Sequence, residues 1–138
     1  MVDIAEYGLS ENIVEFLKQK DLNGELIKVN ASTVAGLSGS TIVSYTPTTG
    51  YSFVLVKASF YCLDIGAATV AAELKNHTTV REKRGQSMSA NTPTTVTAFD
   101  LTGDVLIGNS SKKYEIYASA NSSSAVVHGF ILGYIEAS

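Results

Sequence analysis

The spacing of hydrophobic positions changes once along the chain. From Leu9 to Lys20 the apolar residues Leu9, Ile13, Phe16 and Leu17 recur at helical intervals and form one stripe. Ser10 stands where a cap is needed. Glu11 and Glu15 suit the positive end of a helix, and Lys18 and Lys20 suit the negative end. Asn23-Gly24 supplies the stop. The spacing therefore predicts one amphipathic helix of about three turns. Two destinations are open to it: the body of its own domain, or a neighbouring subunit on which it would act as an arm.

Beyond Gly24 the period becomes two. Glu25–Asn30 reads as a short strand, and Ala31–Ser40, with Gly36 and Gly39, reads as a linker. That loop has neither the spacing of a dinucleotide loop nor the lysine of a phosphate loop. Strand candidates then follow in series: Thr41–Thr46, Tyr51–Leu63, Ala67–Lys75, Thr78–Arg84, Thr94–Leu101, Asp104–Gly108, Lys112–Ala120 and Ala125–Glu136. Turn signals separate them, among them Thr46-Pro47-Thr48-Thr49-Gly50, Asn91-Thr92-Pro93 and Asn121-Ser122-Ser123-Ser124. Short strands with no interleaved helices predict an all-β fold, an antiparallel sandwich or barrel. The expected organisation is a helical arm over 1–24, a linker with a short strand over 25–39, and a sandwich domain over 40–138.

Alternation assigns faces. In Tyr51–Leu63 it points Val54, Val56, Ala58, Phe60 and Cys62 to the core, and Phe53, Leu55, Lys57, Ser59 and Tyr61 outward. In Lys112–Ala120 it points Tyr114, Ile116, Ala118 and Ala120 inward, and Tyr117 outward. The last strand is apolar on both faces: Val126, His128, Phe130, Leu132 and Tyr134 on one, Val127, Ile131 and Ile135 on the other. Such a strand is either central in its sheet or covered outside by another subunit.

Composition narrows the function classes. The 138 residues are 45% hydrophobic and 17% charged, ordinary values for one globular domain. The net charge is −3. Residues 1–25 hold six acids and two lysines, so an acidic leader precedes a nearly neutral body. This balance argues against nucleic-acid binding, which needs a dense Lys/Arg surface. The one basic cluster, Arg81-Glu82-Lys83-Arg84, reads as a solvated turn or as a contact for an anionic partner. No apolar run approaches the roughly 18 residues of a membrane span, and no secretory signal is visible at Met1–Glu6.

Candidate chemistry is sparse. Cys62 falls on a core face and reads as a buried small hydrophobe. His77 and His128 are far apart, with no second histidine or cysteine at ligand spacing. No Gly-x-Ser-x-Gly elbow is present. Asp64, Asp100 and Asp104 stand near strand ends, thin support for calcium, which takes six to eight oxygens. Neither a metal nor another cofactor is expected, and no catalytic residue is nominated. Sugar-binding sandwiches offer exposed aromatic platforms; Trp is absent here, and Tyr61 and Tyr117 are the best substitutes.

Leu101-Thr102-Gly103-Asp104-Val105-Leu106-Ile107 resembles a step near the end of many jelly-roll domains. Val127-His128-Gly129-Phe130-Ile131-Leu132-Gly133-Tyr134 resembles their closing strand, and Thr49-Gly50-Tyr51 opens a long strand as theirs does. Over about residues 40–138 the chain is thus similar to small jelly rolls. These occur in structural proteins of bacteriophages and archaeal viruses, including head-decoration and receptor-binding subunits, and in trimeric C1q-like and tumour-necrosis-factor-like domains. The resemblance implies an antiparallel jelly-roll-like β-sandwich of about eight strands behind a short N-terminal helical arm. It implies a non-enzymatic virion subunit, assembled in the host cytoplasm, that works as a homo-oligomer. A trimer is favoured, and a major capsid or tail protein is a candidate partner. The residues expected at such an interface are Phe16, Leu17, Phe53, Leu55, Tyr61, Tyr117, His128 and Phe130. The alternative is a carbohydrate-binding or adhesion module built on Tyr61 and Tyr117.

Overall fold

Helix α1 (Glu11–Leu22) forms where the 3.6-residue period places it, in a computed structural model that describes residues 11–101, 106–107 and 111–137. Its end is a full Schellman stop. Gly24 has φ +73°, its N–H donates to the Asp21 carbonyl at 3.0 Å, and the Glu25 N–H donates to the Lys20 carbonyl at 2.8 Å. Leu9 and Ser10, expected on the stripe and at the cap, lie outside the described residues.

The helix packs on its own chain. Leu17 is fully buried with Leu26 and Leu132, and Val14, Val56 and Tyr134 close around them. The buried stripe is turned toward Val14 from the one expected: Ile13 is 43% exposed and Phe16 48%. Phe16 reaches the sheet edge-on instead, its ring 5.3 Å from Tyr134 at an interplanar angle of 79°. Leu17 is therefore withdrawn from the expected subunit interface; its own sheet already covers it.

Among the described residues nine strands follow: β1 (Leu26–Val34), β2 (Ser40–Tyr45), β3 (Tyr51–Leu63), β4 (Ala68–Asn76), β5 (Thr79–Met88), β6 (Thr97–Ala98), β7 (Leu106–Ile107), β8 (Tyr114–Ala120) and β9 (Val126–Ala137). The stretch expected as a linker with a short strand instead carries nine-residue β1, paired with β9 along its whole length. One sheet runs β1-β9-β3, with β6 and β7 both on the far edge of β3; the other runs β2-β8-β4-β5. All pairings are antiparallel. β7 pairs with Phe53–Val54 and β6 with Ser59–Phe60, so the two are halves of one interrupted edge strand. Each sheet then has four strand positions. Apart from the β4–β5 hairpin and the β6/β7 edge, every strand crosses to the opposite sheet from its predecessor. This connectivity is that of a jelly roll, the sandwich that the resemblance implies.

A bulge corrects the expected faces of β3. The register with β9 skips a residue between Leu55 and Lys57, which reverses side-chain parity along the strand. Phe53 and Leu55 are consequently core residues, 0% and 3% exposed, as are Ala58, Phe60 and Cys62 beyond the bulge. Val56 turns out toward α1. Phe53 and Leu55 are thus not available to a partner. β9 matches its reading as a strand apolar on both sides. Its inner face packs close: a Cβ on Gly133 would overlap the Val54 carbonyl oxygen and the Phe53 ring. Its outer face is half covered by α1.

Candidate functional site

The outer face of the β1-β9-β3 sheet is built in rows by its register. Leu26, Tyr134 and Val54 share one row, and Lys28, Leu132 and Lys57 the next; α1 lies over this part. Beyond it come Asn30, Phe130 and Ser59, then Ser32, His128 and Tyr61, then Val34, Val126 and Leu63. These last three rows carry no helix. An apolar strip along one strand therefore begins under α1 and runs out into the open.

Three rings dominate the open half. Tyr61 and His128, directly opposite across the β3–β9 pair, stack with centroids 4.4 Å apart and planes 6° from parallel. Phe130, diagonal to Tyr61, lies 5.9 Å away at 24°. Side chains stand roughly perpendicular to a sheet, so parallel neighbours of this kind stack against one another and turn edges outward. Lys28, Asn30 and Ser32 of β1 flank them. Together they line a shallow groove of about 360 Å³.

Of the residues expected at an interface, the structure gathers Tyr61, His128 and Phe130 in this groove. Phe16 is half exposed on α1 beside Tyr134, at the covered end of the same strip. Tyr117 is elsewhere, on the outer face of the other sheet, so it and Tyr61 form no common platform. Its hydroxyl donates to the Ser38 carbonyl at 3.0 Å, and the Lys75 ammonium sits 4.4 Å over its ring. Gly39, at φ +93°, fits under that ring where a Cβ would overlap it. Tyr117 thus fastens the β1–β2 loop. Lys28 and Asn30 fall within the short strand that the sequence predicts and Ser32 beyond it, but none of the three is expected at an interface, because the pairing of β1 with β9 is not legible locally. Their alternation with Ile27, Val29 and Ala31 was the available signal.

The cysteine and the aspartates near strand ends have structural surroundings. Cys62 is buried, and desolvation pushes its thiol up to about 12. Asp64 is buried in the β3–β4 loop and joins three connections at one end of the sandwich. Its Oδ1 accepts from Ser124 Oγ at 2.6 Å and from the Ile65 N–H at 2.7 Å, while the Asn91 N–H donates to its carbonyl at 2.7 Å. Hydrogen bonds from Ser122 and Ser124 hold the Asp64 carboxyl below the usual carboxylate range. Asp104 lies outside the described residues. Among the described residues no three His, Cys, Asp or Glu side chains gather as a metal site would need. No described helix is long and apolar enough to cross a membrane.

No protein-family model matches the chain, and no curated protein matches it. Solved structures of similar shape exist at low identity. A chain of the T13 IBDV viral particle is 6% identical with a TM-score of 0.49; the match covers 79% of this chain and 30% of that one. A chain of the Bacillus endospore appendages, disulfide-linked pili, is 14% identical with a TM-score of 0.37, over 81% and 86% of the two chains. TmCBM61, solved with β-1,4-galactotriose, is 8% identical with a TM-score of 0.32, over 83% and 66%. The chain thus spans less than a third of the length of the viral chain that it matches.

Proposed function

We propose that this protein is a non-enzymatic structural subunit of a virion, a decoration or spike component that acts by packing against copies of itself on a shell or tail. The observation that carries the reading is the outer face of β9. From Val126 to Tyr134 it is apolar or aromatic but for His128, its own helix covers only one half, and the other half presents His128 and Phe130, with Tyr61 of β3 beside them, to a partner. Extensive apolar faces of this kind mark interaction sites. What points to a viral shell is the jelly-roll connectivity together with the resemblance of residues 101–107 and 127–134 to phage and archaeal-virus subunits.

The open face sets a scale for the association. Three strands about 4.8 Å apart and three rows about 6.8 Å apart give roughly 300 Å² of planar sheet. A stable interface takes about 800 Å² per partner. The rows alone support a weak contact, and the exposed shoulder of α1, Ile13 and Phe16, is the apolar area available to extend it. A trimer, in which each copy meets two neighbours, is the favoured state. Light scattering from about 1 to 500 µM tests this. The expected result is a concentration-dependent rise toward three times the 14.6 kDa chain mass. A monomer throughout that range contradicts it.

A second reading, a carbohydrate-binding module, is favoured by Lys28, Asn30 and Ser32 beside the aromatic groove, since amide, hydroxyl and ammonium groups suit sugar hydroxyls. The ring geometry weighs against it, because stacking on a sugar uses an open ring face and these rings are turned to each other. Saturable binding of a soluble oligosaccharide, lost in Tyr61→Ala, would favour this second reading.

A further inference from the structure

Helix α1 stands on the β1-β9-β3 sheet as a step. A helix with its side chains is about 10–12 Å across, so the outer face drops by one helix layer where it passes from α1 to the open rows. Those rows, marked along β1 by Asn30, Ser32 and Val34, form a ledge with Tyr61, His128 and Phe130 in its floor. A flat surface laid on this side of the protein rests on α1 and leaves a gap above the rings. Whatever covers the rings is therefore a ridge about as tall as α1 itself.

The dimensions of the ledge select the ridge. Three strands and three rows make a floor of roughly 14 by 20 Å. A helix of 12 residues, the length of α1, is about 18 Å long and about 10–12 Å wide, so one such helix fills the floor. Among the described residues α1 is the only helix. It also has an apolar flank to spare. Ile13 and Phe16, three residues apart and so on one side, are 43% and 48% exposed. The chemistry of the two patches agrees. The rings of the ledge turn their edges outward, and the face of an incoming ring such as Phe16 meets edges in the favoured T-shaped arrangement. The outer face of the other sheet is a poor substitute, for it carries Lys75 over Tyr117 and the Lys113–Glu115 ion pair. Docking by α1 also gives each copy two buried patches, its ledge and its helix flank, where the open rows alone give one.

We infer that the ledge is the docking site for helix α1 of a second copy of this chain. This rests on self-association through the open half of the β9 face and specifies which surface meets it. The contact joins unlike patches, head to tail, and three copies close it into a ring in which each meets two neighbours. Complementation between two variants tests it. Tyr61→Ser/Phe130→Ser removes the ledge and keeps the helix. Ile13→Lys/Phe16→Ala removes the helix flank and keeps the ledge, with Leu17 still anchoring α1. In sedimentation at about 500 µM each variant alone should run as a single 14.6 kDa chain. Mixed in equal amounts they should give a species of twice that mass, since each keeps the patch that the other lacks. Cross-linking reads the same contact with both patches largely intact, and it carries the test if the helix variant loses its fold. Ile13→Cys and Ser32→Cys chains, one of them isotope-labelled, are mixed and oxidised; Cys62 is buried and takes no part. Mixed 13–32 pairs should exceed the 13–13 and 32–32 pairs. A helix variant that associates like the wild type, a mixture that stays monomeric, or a predominance of 32–32 pairs would overturn the docking while self-association stands. A wild type that is itself monomeric at this concentration would overturn both.

Discussion

Truncating Leu17 and truncating Phe16 should have very different costs, although both belong to the one apolar stripe of α1. Leu17 is fully buried between Leu26 and Leu132. Replacing a buried Leu by Ala costs about 2–5 kcal/mol, more where the surroundings cannot collapse into the space. The layer under α1 is thin and the helix can settle, so the lower part of that range applies, about 2–3 kcal/mol. Phe16 is half exposed; its edge-on contact with Tyr134 is worth about 1 kcal/mol, and the Lys20 ammonium over its exposed ring adds about 0.5–1 kcal/mol at most. A ceiling also applies. A helix of 12 residues is marginal in water by itself. Once its anchor is lost it undocks, and further truncation costs nothing more. Urea unfolding of Leu17→Ala and Phe16→Ala, with amide exchange read along residues 14–22, separates the two. Leu17→Ala should speed exchange throughout the helix while the β3 and β9 amides stay protected. Phe16→Ala should leave the helix protected. Equal losses from the two variants, or an unchanged helix in Leu17→Ala, would refute the reasoning.

Three further outcomes are expected. Because hydrogen bonding lowers the Asp64 carboxyl in the fold, its contribution is present above the ordinary carboxylate value of about 3.9 and is lost as pH falls through the lowered one. Asp64→Asn should therefore flatten the acid limb of the stability profile, and an acid limb identical to wild type would contradict this. Cys62, raised to about 12, should resist iodoacetamide at pH 8 in the folded chain and react in urea, as mass spectrometry would show. Gly133→Ala should lower stability by about 1–3 kcal/mol or more in urea unfolding, because the backbone oxygen of Val54 cannot turn aside. Gly129→Ala should cost less, since its Cβ would meet a rotatable group, Val43 Cγ1, at 2.7 Å.

The fold was legible where a period was long and uninterrupted. The two-sided β9, the inward Tyr114, Ile116 and Ala118 of β8, and the helix with its Asn23-Gly24 stop all stand where the spacing puts them. What escaped was set by backbone irregularity and by tertiary choice. The bulge between Leu55 and Lys57 inverts the parity of β3, and no side chain announces it; alternation therefore misassigned Phe53 and Leu55. β1 was underestimated because Ala31, Ser32 and Thr33 look like loop residues, yet pairing with β9 holds them in a strand. Half of the candidate site was readable: His128 and Phe130 fall on one face of β9, and Tyr61 sits on the outward face of β3. Its polar flank and the separation of Tyr117 from it depend on which strands meet, which a single sequence does not encode locally.

The claim that the open half of the β9 face holds copies together is tested most directly by sedimentation of Tyr61→Ser/Phe130→Ser beside the wild type, at one concentration where the wild type associates. Val80→Ser, on the exposed edge strand β5, serves as the control. The double variant should sediment as a single 14.6 kDa chain with its cooperative unfolding intact, while the control keeps the wild-type mass. A double variant that associates as strongly as the wild type would contradict the claim and move the interface to another face of the sandwich.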